Sequence, residues 1–435
     1  MSLPPLGQLD RLLASDAFIW ATGVDDTVIT APHATTHRTL DEYELCQHYE
    51  RWSADIDLIA ALGCRVARYG VPWHRIQPTA TSWDFGCADR PLERLLERGV
   101  EPIVDLVHHG LPTWLDGAWL DPRLPTAMAE YASRVAERFA GRIRWYTPLN
   151  EPRLAAWYCG KLGWWPPHDR GWRGFVRVLL ACARGVTLSC HALTAVDREI
   201  VHAHVDAVDL GDDPEDAGPE AQAEGAFRRE LAFLPLDLVA GRVDAHHPLR
   251  GWLLRQGASD ADLAWFQERA VSVRVLGLNL HPSAAGRKPV RDGAEPRAHA
   301  PCTLAAGIDR VVGRHWEHHR VPVWISETAA TGPVAKRWRW LDDSVAAVAR
   351  IRAAGVPLVG YTWWPLFALV TSSYRQGVLP PARYLQQAGL YDCDRSFARV
   401  PTPLVDAFRA LCARGADGAG RLMREDASHL VTAPR

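Results

Sequence analysis

Short apolar runs recur along this chain at intervals that leave room for a helix between neighbours. They fall at residues 18–22, 65–69, 102–106, 144–148, 200–204, 273–279, 321–326 and 357–362. Runs of this length, bounded by polar and turn-forming residues, read as buried strands. Amphipathic stretches at 48–62, 91–98, 126–139, 172–198 and 338–353 read as helices lying between them. Strand–helix alternation predicts βα units and a parallel sheet. Eight such strands are the number that closes the sheet into a barrel. The expected fold is therefore α/β, a single (β/α)8 TIM barrel over 16–413, with an N-terminal extension at 1–15 and a polar tail at 414–435.

Composition narrows the function classes. The chain has 435 residues, long for one domain but within the range of barrels with loop insertions. No internal repeat or second domain is visible. The acidic, Gly- and Pro-rich segment 206–225 reads as a loop after the fifth strand, and 287–301 as a polar loop after the sixth. A net charge of −2 with no basic stripe argues against a nucleic-acid partner. No uninterrupted apolar run reaches the roughly 18 residues of a membrane span. The start, Met1-Ser2-Leu3-Pro4-Pro5, lacks the basic and apolar parts of a secretory leader. Nine cysteines, an odd number without a CxxC pair, read as reduced thiols. These features predict a soluble cytoplasmic protein without a membrane partner, and they leave the oligomeric state open.

Two carboxylates carry the chemistry. Glu151 lies in Thr147-Pro148-Leu149-Asn150-Glu151-Pro152, just after the fourth apolar run, and Glu327 ends the seventh. In a parallel barrel the C-terminal ends of the strands meet on one face. Two carboxylates converging there are the minimum equipment for cleaving a glycosidic bond. The 19 tryptophans fit a carbohydrate site, where flat rings cover the apolar face of a sugar, although most must be packing residues. A competing pattern is metal binding. His202-Ala203-His204 places two imidazoles on one face of a strand, and His108-His109 and His246-His247 add donors. A metal centre needs three or four ligands with supporting partners, and it would leave both Glu motifs unexplained. The expectation is no metal and no cofactor, with His204 and Asp206 as further candidates to line the pocket.

The Glu151 stretch resembles the Thr-x-Asn-Glu-Pro motif of glycoside hydrolase family 1, the β-glucosidase-like enzymes, with one residue more between Thr and Asn. The resemblance continues through Tyr158-Cys159-Gly160-Lys161-Leu162-Gly163-Trp164-Trp165-Pro166-Pro167, Ile325-Ser326-Glu327-Thr328, Arg68-Tyr69-Gly70-Val71-Pro72-Trp73-His74-Arg75-Ile76, His108 before Leu111-Pro112, Gly277-Leu278-Asn279 and Tyr361-Thr362-Trp363-Trp364-Pro365-Leu366. These segments run in the family's order from about Phe18 to about Phe408.

The resemblance implies a retaining β-glycoside hydrolase acting on a small-molecule glycoside or oligosaccharide. Glu151 would be the acid/base and Glu327 the nucleophile, with Arg68 as its ion-pair partner. Asn150 would hold the sugar 2-hydroxyl, His108 another hydroxyl, Trp364 the sugar's floor, and Asn279 the pocket wall. As an acid, Glu151 needs a raised pKa, which burial or the charge of Glu327 would supply. The sequence departs from the family where the sugar is read. The region Ala21 to Val28 has no Gln, the stretch Leu369 to Arg375 has no Glu, and His281 stands where Tyr is usual. Asp25 or Asp26 could replace the Gln, and Tyr374 with Arg375 could meet an anionic substituent. A transglycosylase using the same covalent intermediate, and a non-catalytic sugar-binding barrel, remain alternatives.

Overall fold

The computed structural model describes residues 18–210, 218–282 and 304–415. Within them, eight parallel strands close into a barrel. They are β1 (Ile19–Val24), β2 (Val66–Gly70), β3 (Glu101–Asp105), β4 (Trp145–Thr147), β5 (Val201–Val208), β6 (Val275–Leu280), β7 (Val323–Thr328) and β8 (Leu358–Trp363). Each pairs with its neighbours in sequence order, and β8 returns to β1. The main helices behind them are α1 (His48–Ala61), α2 (Gly86–Glu97), α3 (Leu124–Arg138), α4 (Gly171–Val196), α5 (Pro219–Val239), α6 (Leu304–His319), α7 (Val334–Ala353) and α8 (Pro403–Arg414). The barrel read from the sequence is the barrel observed. The expected extension 1–15, the loop 287–301 and all but two residues of the tail 414–435 lie outside the described residues.

Three helical segments differ from the sequence reading. The segment 206–225 is not simply a loop: β5 runs on to Val208 and α5 begins at Pro219. Proline in the first turn loses no helical hydrogen bond, so a Gly-Pro signal marks a helix start as readily as a turn. Helix α2 starts at Gly86, not at Pro91, because the Asp84 carboxylate accepts the Gly86 N–H at 2.9 Å and anchors an earlier turn. Helix α8 was not foreseen; Thr402 caps it by accepting the Leu404 N–H at 3.2 Å, with Pro403 in its first turn. Helix α4 is long and apolar enough to cross a membrane by length and composition. It lies along α3, where Gly185 leaves room for Met128, whose sulfur lies 2.3 Å from where a Cβ would stand.

The barrel interior is apolar at one end. Ile19, Ala21, Val66, Ile103, Trp145, Val201, Val275, Trp324 and Val359 form one buried cluster. Trp145 and Trp324 meet edge to face at 5.9 Å and fill the bore, a packed layer and not a channel. Because side chains alternate along a strand, the next inward positions are Arg68 after Val66 and Asp105 after Ile103. The same inner face thus turns from apolar to charged toward the strands' C-terminal ends. In β7 an extra residue intervenes: Ile325 pairs with Leu278, yet Glu327 pairs with the next residue, Asn279. Such a bulge re-aims a side chain at a strand end, and here it brings Ser326 and Glu327 both into contact with the interior.

The opposite parity on β5 puts His202, His204 and Asp206 on the outer face, since Ala203 and Val205 line the bore. The expectation that His204 and Asp206 line the sugar pocket is therefore not met. Asp206 is buried, its Oδ1 accepts the Ala207 N–H at 2.8 Å and its Oδ2 has no donor. Burial pushes its pKa up to about 8, against the pull of Arg153. A raised folded-state pKa means that its stabilising contribution is complete below the ordinary carboxylate range and is lost as pH rises toward 8. Asp206→Asn should therefore raise the melting temperature at pH 8 by a few degrees and by much less at pH 5, as thermal unfolding at both pH values will show.

Candidate active site

At the C-terminal mouth of the barrel, one guanidinium organises the polar groups. Arg68 is buried, 1% exposed. Its Nη1 donates to Glu327 Oε1 at 2.6 Å and to the Ser326 carbonyl at 3.2 Å. Its Nη2 faces Asp25 Oδ2 at 2.8 Å, Asp105 Oδ2 at 3.2 Å and Asn150 Oδ1 at 3.2 Å. Three carboxyl groups around one cation, out of water, cannot all be charged without penalty. Burial, with Glu327 and Asp105 adding to it, pushes Asp25 well above the usual carboxylate range in spite of Arg68. Gly23 keeps this corner open: a Cβ there would lie 2.6 Å from Asp25 and 3.0 Å from Trp364.

Glu151 arrives by a different local route. Beyond β4 the backbone is held on both sides, with the Asn150 N–H on the Val107 carbonyl at 2.9 Å and the Glu151 N–H on that of Val205 at 3.0 Å. Glu151 itself is left-handed, φ 52° and ψ 58°, a region that non-glycine residues occupy only when their surroundings impose it. Asn279 Nδ2 donates to its Oε1 at 2.8 Å, and His109 Nε2 lies 3.9 Å from its Oε2. Burial opposes the charged form, but His109 and the Asn279 donor outweigh it and bring the pKa down to about 2. This reverses the expected direction. The Asn279 donor and the nearby His109 ring favour the charged form of Glu151.

Asn279 connects the two acids. It pairs with Glu327 across β6 and β7, holds Glu151, donates to Asn150 Oδ1 at 3.2 Å and receives the Ser326 hydroxyl at 2.7 Å. Asn150 Oδ1 accepts from Arg68 and Asn279, and its Nδ2 lies 3.1 Å from His108 Nε2. His108 Nδ1 faces Asp105 Oδ2 at 3.2 Å, and Asp105, with Glu327 and Asp25, raises the ring's pKa to about 10 in spite of burial. Its ring lies parallel to Trp364, centroids 6.3 Å apart. His281 reaches Glu327 Oε2 at 3.5 Å and meets the edge of Trp364 at 5.8 Å. Glu151, Glu327, Arg68, His108, Asn150, Asn279, His281 and Trp364 are thus one connected group.

Other candidates lie elsewhere. Arg375 is buried and donates to the Ala31 carbonyl at 3.0 Å, and Tyr374 lies beneath Arg38, so this pair presents no cation to a substrate. Asp25 is taken up by Arg68. Asp26 is buried behind His108 beside Tyr43 and Trp73, neither oxygen has a donor, and burial pushes its pKa up to about 7. His202 meets Thr194 at 2.8 Å on the barrel's outside, so no metal centre forms with His204. Asp25, Asp105 and His108 are close enough to hold an ion, but the Arg68 guanidinium already supplies the positive charge there.

The sequence reading missed Asp105, named His109 only as a possible metal donor, and gave Ser326 no role beyond its place in the Glu327 motif. Asp105 was recoverable from strand parity, two residues beyond the inward Ile103. A row of rings was also missed. His109, Trp165, Tyr158 and Trp164 follow one another at centroid distances of 5.4, 4.7 and 5.2 Å, from beside Glu151 out to Trp164, which is 56% exposed.

If Arg68 neutralises this site, its removal strands buried carboxylates. Arg68→Met is expected to cost about 3–5 kcal/mol of stability at neutral pH, measured by urea unfolding. The loss should shrink in acid, where the carboxyl groups are protonated.

The sequence profile of Glycosyl hydrolase family 1 matches residues 21–233. β-Glucosidase A of Thermotoga maritima is 35% identical over 119 residues, 26% of each chain. Thermostable β-glucosidase B of Thermobispora bispora is 39% identical over 119 residues, 26% of this chain and 25% of that one. The chain thus aligns with about a quarter of the length of these curated relatives. The solved β-glucosidase from Thermotoga maritima in complex with glucoimidazole superposes with a TM-score of 0.76 at 20% identity, over 92% of this chain and 98% of that one. The barrel, the profile match over residues 21–233 and the motifs agree in making the chain similar to glycoside hydrolase family 1.

Proposed function

We propose that this chain is a retaining hydrolase of β-linked glycosides, working by double displacement without a cofactor. The observation that carries the reading is the single network in which Asn279 holds Glu151 while Arg68 holds Glu327. In the first step the Glu327 carboxylate attacks the anomeric carbon and the leaving oxygen departs with a proton from Glu151. In the second, Glu151 takes a proton from water, which displaces Glu327 from the glycosyl ester. Asn150 and His108 meet the sugar hydroxyls, His281 and Trp364 close the pocket about the nucleophile, and the Trp165–Tyr158–Trp164 row receives the aglycone. The names of the aligned relatives, β-glucosidases, support this class. The placement in the cytoplasm is part of the same reading, supported by all eight cysteines among the described residues being free thiols.

On this reading Glu151 gives its proton to the departing oxygen, so the first step depends on the leaving group. Aryl glycosides of acidic phenols should turn over fastest.

The test is aryl alcohol release from a panel of aryl β-glycosides. Glu327→Ala should lose activity by on the order of 10⁴-fold or more. Glu151→Ala should lose about 10²–10⁴-fold on poor leaving groups, less on activated ones, and azide should restore turnover with a glycosyl azide as product. Chelator should leave the wild-type rate unchanged. Equal turnover by Glu327→Ala and wild type would overturn the reading.

A further inference from the structure

At the foot of the barrel, away from the mouth that holds Glu151 and Glu327, two thiols touch. Cys64 lies between the end of α1 and the start of β2, and Cys412 lies in the last turn of α8. Their sulfurs are 3.6 Å apart although the two residues stand 348 positions apart in the sequence. Both are free thiols. Cys64 is 4% exposed, whereas Cys412 is only partly buried.

The surroundings hold this contact in place. One turn earlier on α8, Arg409 Nε donates to the Ala61 carbonyl at the end of α1, at 3.1 Å. Just past the helix, the Gly415 carbonyl accepts from Trp20 Nε1 of β1 at 2.7 Å. These two bonds bracket Cys412 and fix α8 lengthwise against the barrel. A Cβ at Gly63 would lie 3.7 Å from Cys412 Cβ, an ordinary van der Waals contact, so the Cys412 side chain stands beside the backbone that leads into Cys64. A bond of about 2.05 Å requires the sulfurs to close by roughly 1.5 Å. Cys64 belongs to no helix or strand, and it can give by that amount without unwinding one.

The other thiols lack this arrangement. Cys46 and Cys393 both meet the Ala368 carbonyl, at 3.6 and 3.9 Å, and both are buried. Cys159, Cys182 and Cys190 are buried as well. Cys87 is partly exposed but has no thiol partner among the described residues. Only at Cys64 and Cys412, among the described residues, does a partly exposed thiol touch a buried one. The Cys412 contact, together with burial, pushes the Cys64 thiol well above its ordinary value. Cys64 thus keeps its proton, and Cys412 is the sulfur that an oxidant meets first.

We propose that Cys64 and Cys412 are a modification site at which hydrogen peroxide forms a reversible disulfide, stapling α8 to the start of β2. The Cys412 sulfur attacks one peroxide oxygen, the O–O bond breaks, and a sulfenic acid forms as the first water leaves. The Cys64 sulfur then attacks the sulfenic sulfur. The S–S bond forms, the S–O bond breaks, and the departing hydroxide takes the Cys64 proton as a second water. Two electrons pass from the two thiols to one peroxide. The ring so closed takes in β2 to β8, and it constrains nearly the whole unfolded chain. In a reducing compartment such a bond is transient and follows the supply of oxidant.

The test uses the full chain, reduced, freed of reductant and treated with a small excess of hydrogen peroxide. The wild type should lose two alkylatable thiols and two hydrogens in mass, and a non-reducing peptide map should join the Cys64 and Cys412 peptides. Its melting temperature should rise by several degrees over the reduced protein and fall back with dithiothreitol. Cys64→Ser and Cys412→Ser should each abolish the link and the rise, and Cys64→Ser should carry a dimedone-reactive sulfenic acid at Cys412 instead. Cys87→Ser should behave as wild type does. Peroxide that leaves both thiols free, or carries Cys412 of the wild type on to sulfinic or sulfonic acid without the link, would overturn the inference. A link without a rise in melting temperature would overturn the staple. The readouts are thiol chemistry and unfolding, so they are independent of glycoside turnover.

Discussion

The mouth of this barrel depends on the burial of one guanidinium. Arg68 stands on the inner face of β2 because that strand's parity places it two residues above Val66, buried at 1% exposure. Its charge is met by Glu327, Asp25 and Asp105, and its remaining reach goes to Asn150 and the Ser326 carbonyl. Those contacts span β2, β3, β7 and the turns after β1 and β4. Arginine suits this position because its planar fork serves several acceptors at fixed angles, which a lysine ammonium cannot do. The position of Asn150 and the placing of Glu327 both follow from where that fork points.

Neither acid reaches the site by regular strand geometry. Glu327 gets there through the extra residue in β7, and Glu151 through a left-handed backbone clasped by β5 and the end of β3. Straight strands would have presented one neighbour or the other of each Glu, and a proline follows Glu151 to begin a short helix. The surrounding hydrogen bonds impose these two departures. They are concentrated at the barrel mouth, where the two carboxylates converge, and unusual backbone of this kind tends to cluster at such sites.

The barrel was legible because its signal is local: each apolar run is short, and each intervening helix carries its own period. The two acids were legible for the same reason, since Asn150-Glu151-Pro152 and Ser326-Glu327 are contiguous. What escaped reading was long-range. Asp105 joins Arg68 from 37 residues away; strand parity turns it inward, but the tripeptide Ile103-Val104-Asp105 does not show which cation it meets. The direction of the Glu151 shift was misjudged because it is set by His109 and by Asn279, the latter 128 residues distant. Arg375 was misplaced because a sequence shows a cation but not the Ala31 carbonyl that engages it. Pro219 looked like a loop residue because a proline that opens a helix and one that closes a strand look alike.

The electrostatic balance at the mouth acts as a filter on what can enter. Among the described residues, the Arg68 guanidinium and His108, whose pKa Asp105 raises to about 10 in spite of burial, stand against the carboxyl groups of Asp25, Asp105, Glu151 and Glu327, and with Asp25 neutral the excess is still negative. Arg375, the cation that follows β8, is turned away to a backbone carbonyl. A sugar carrying a phosphate or a uronate would approach like charge in a cavity of low dielectric, where repulsion is strong. A neutral pyranose, or one bearing an amine, would meet no such barrier. On the proposed reading, the same charges that position the nucleophile also select for uncharged or cationic glycosides.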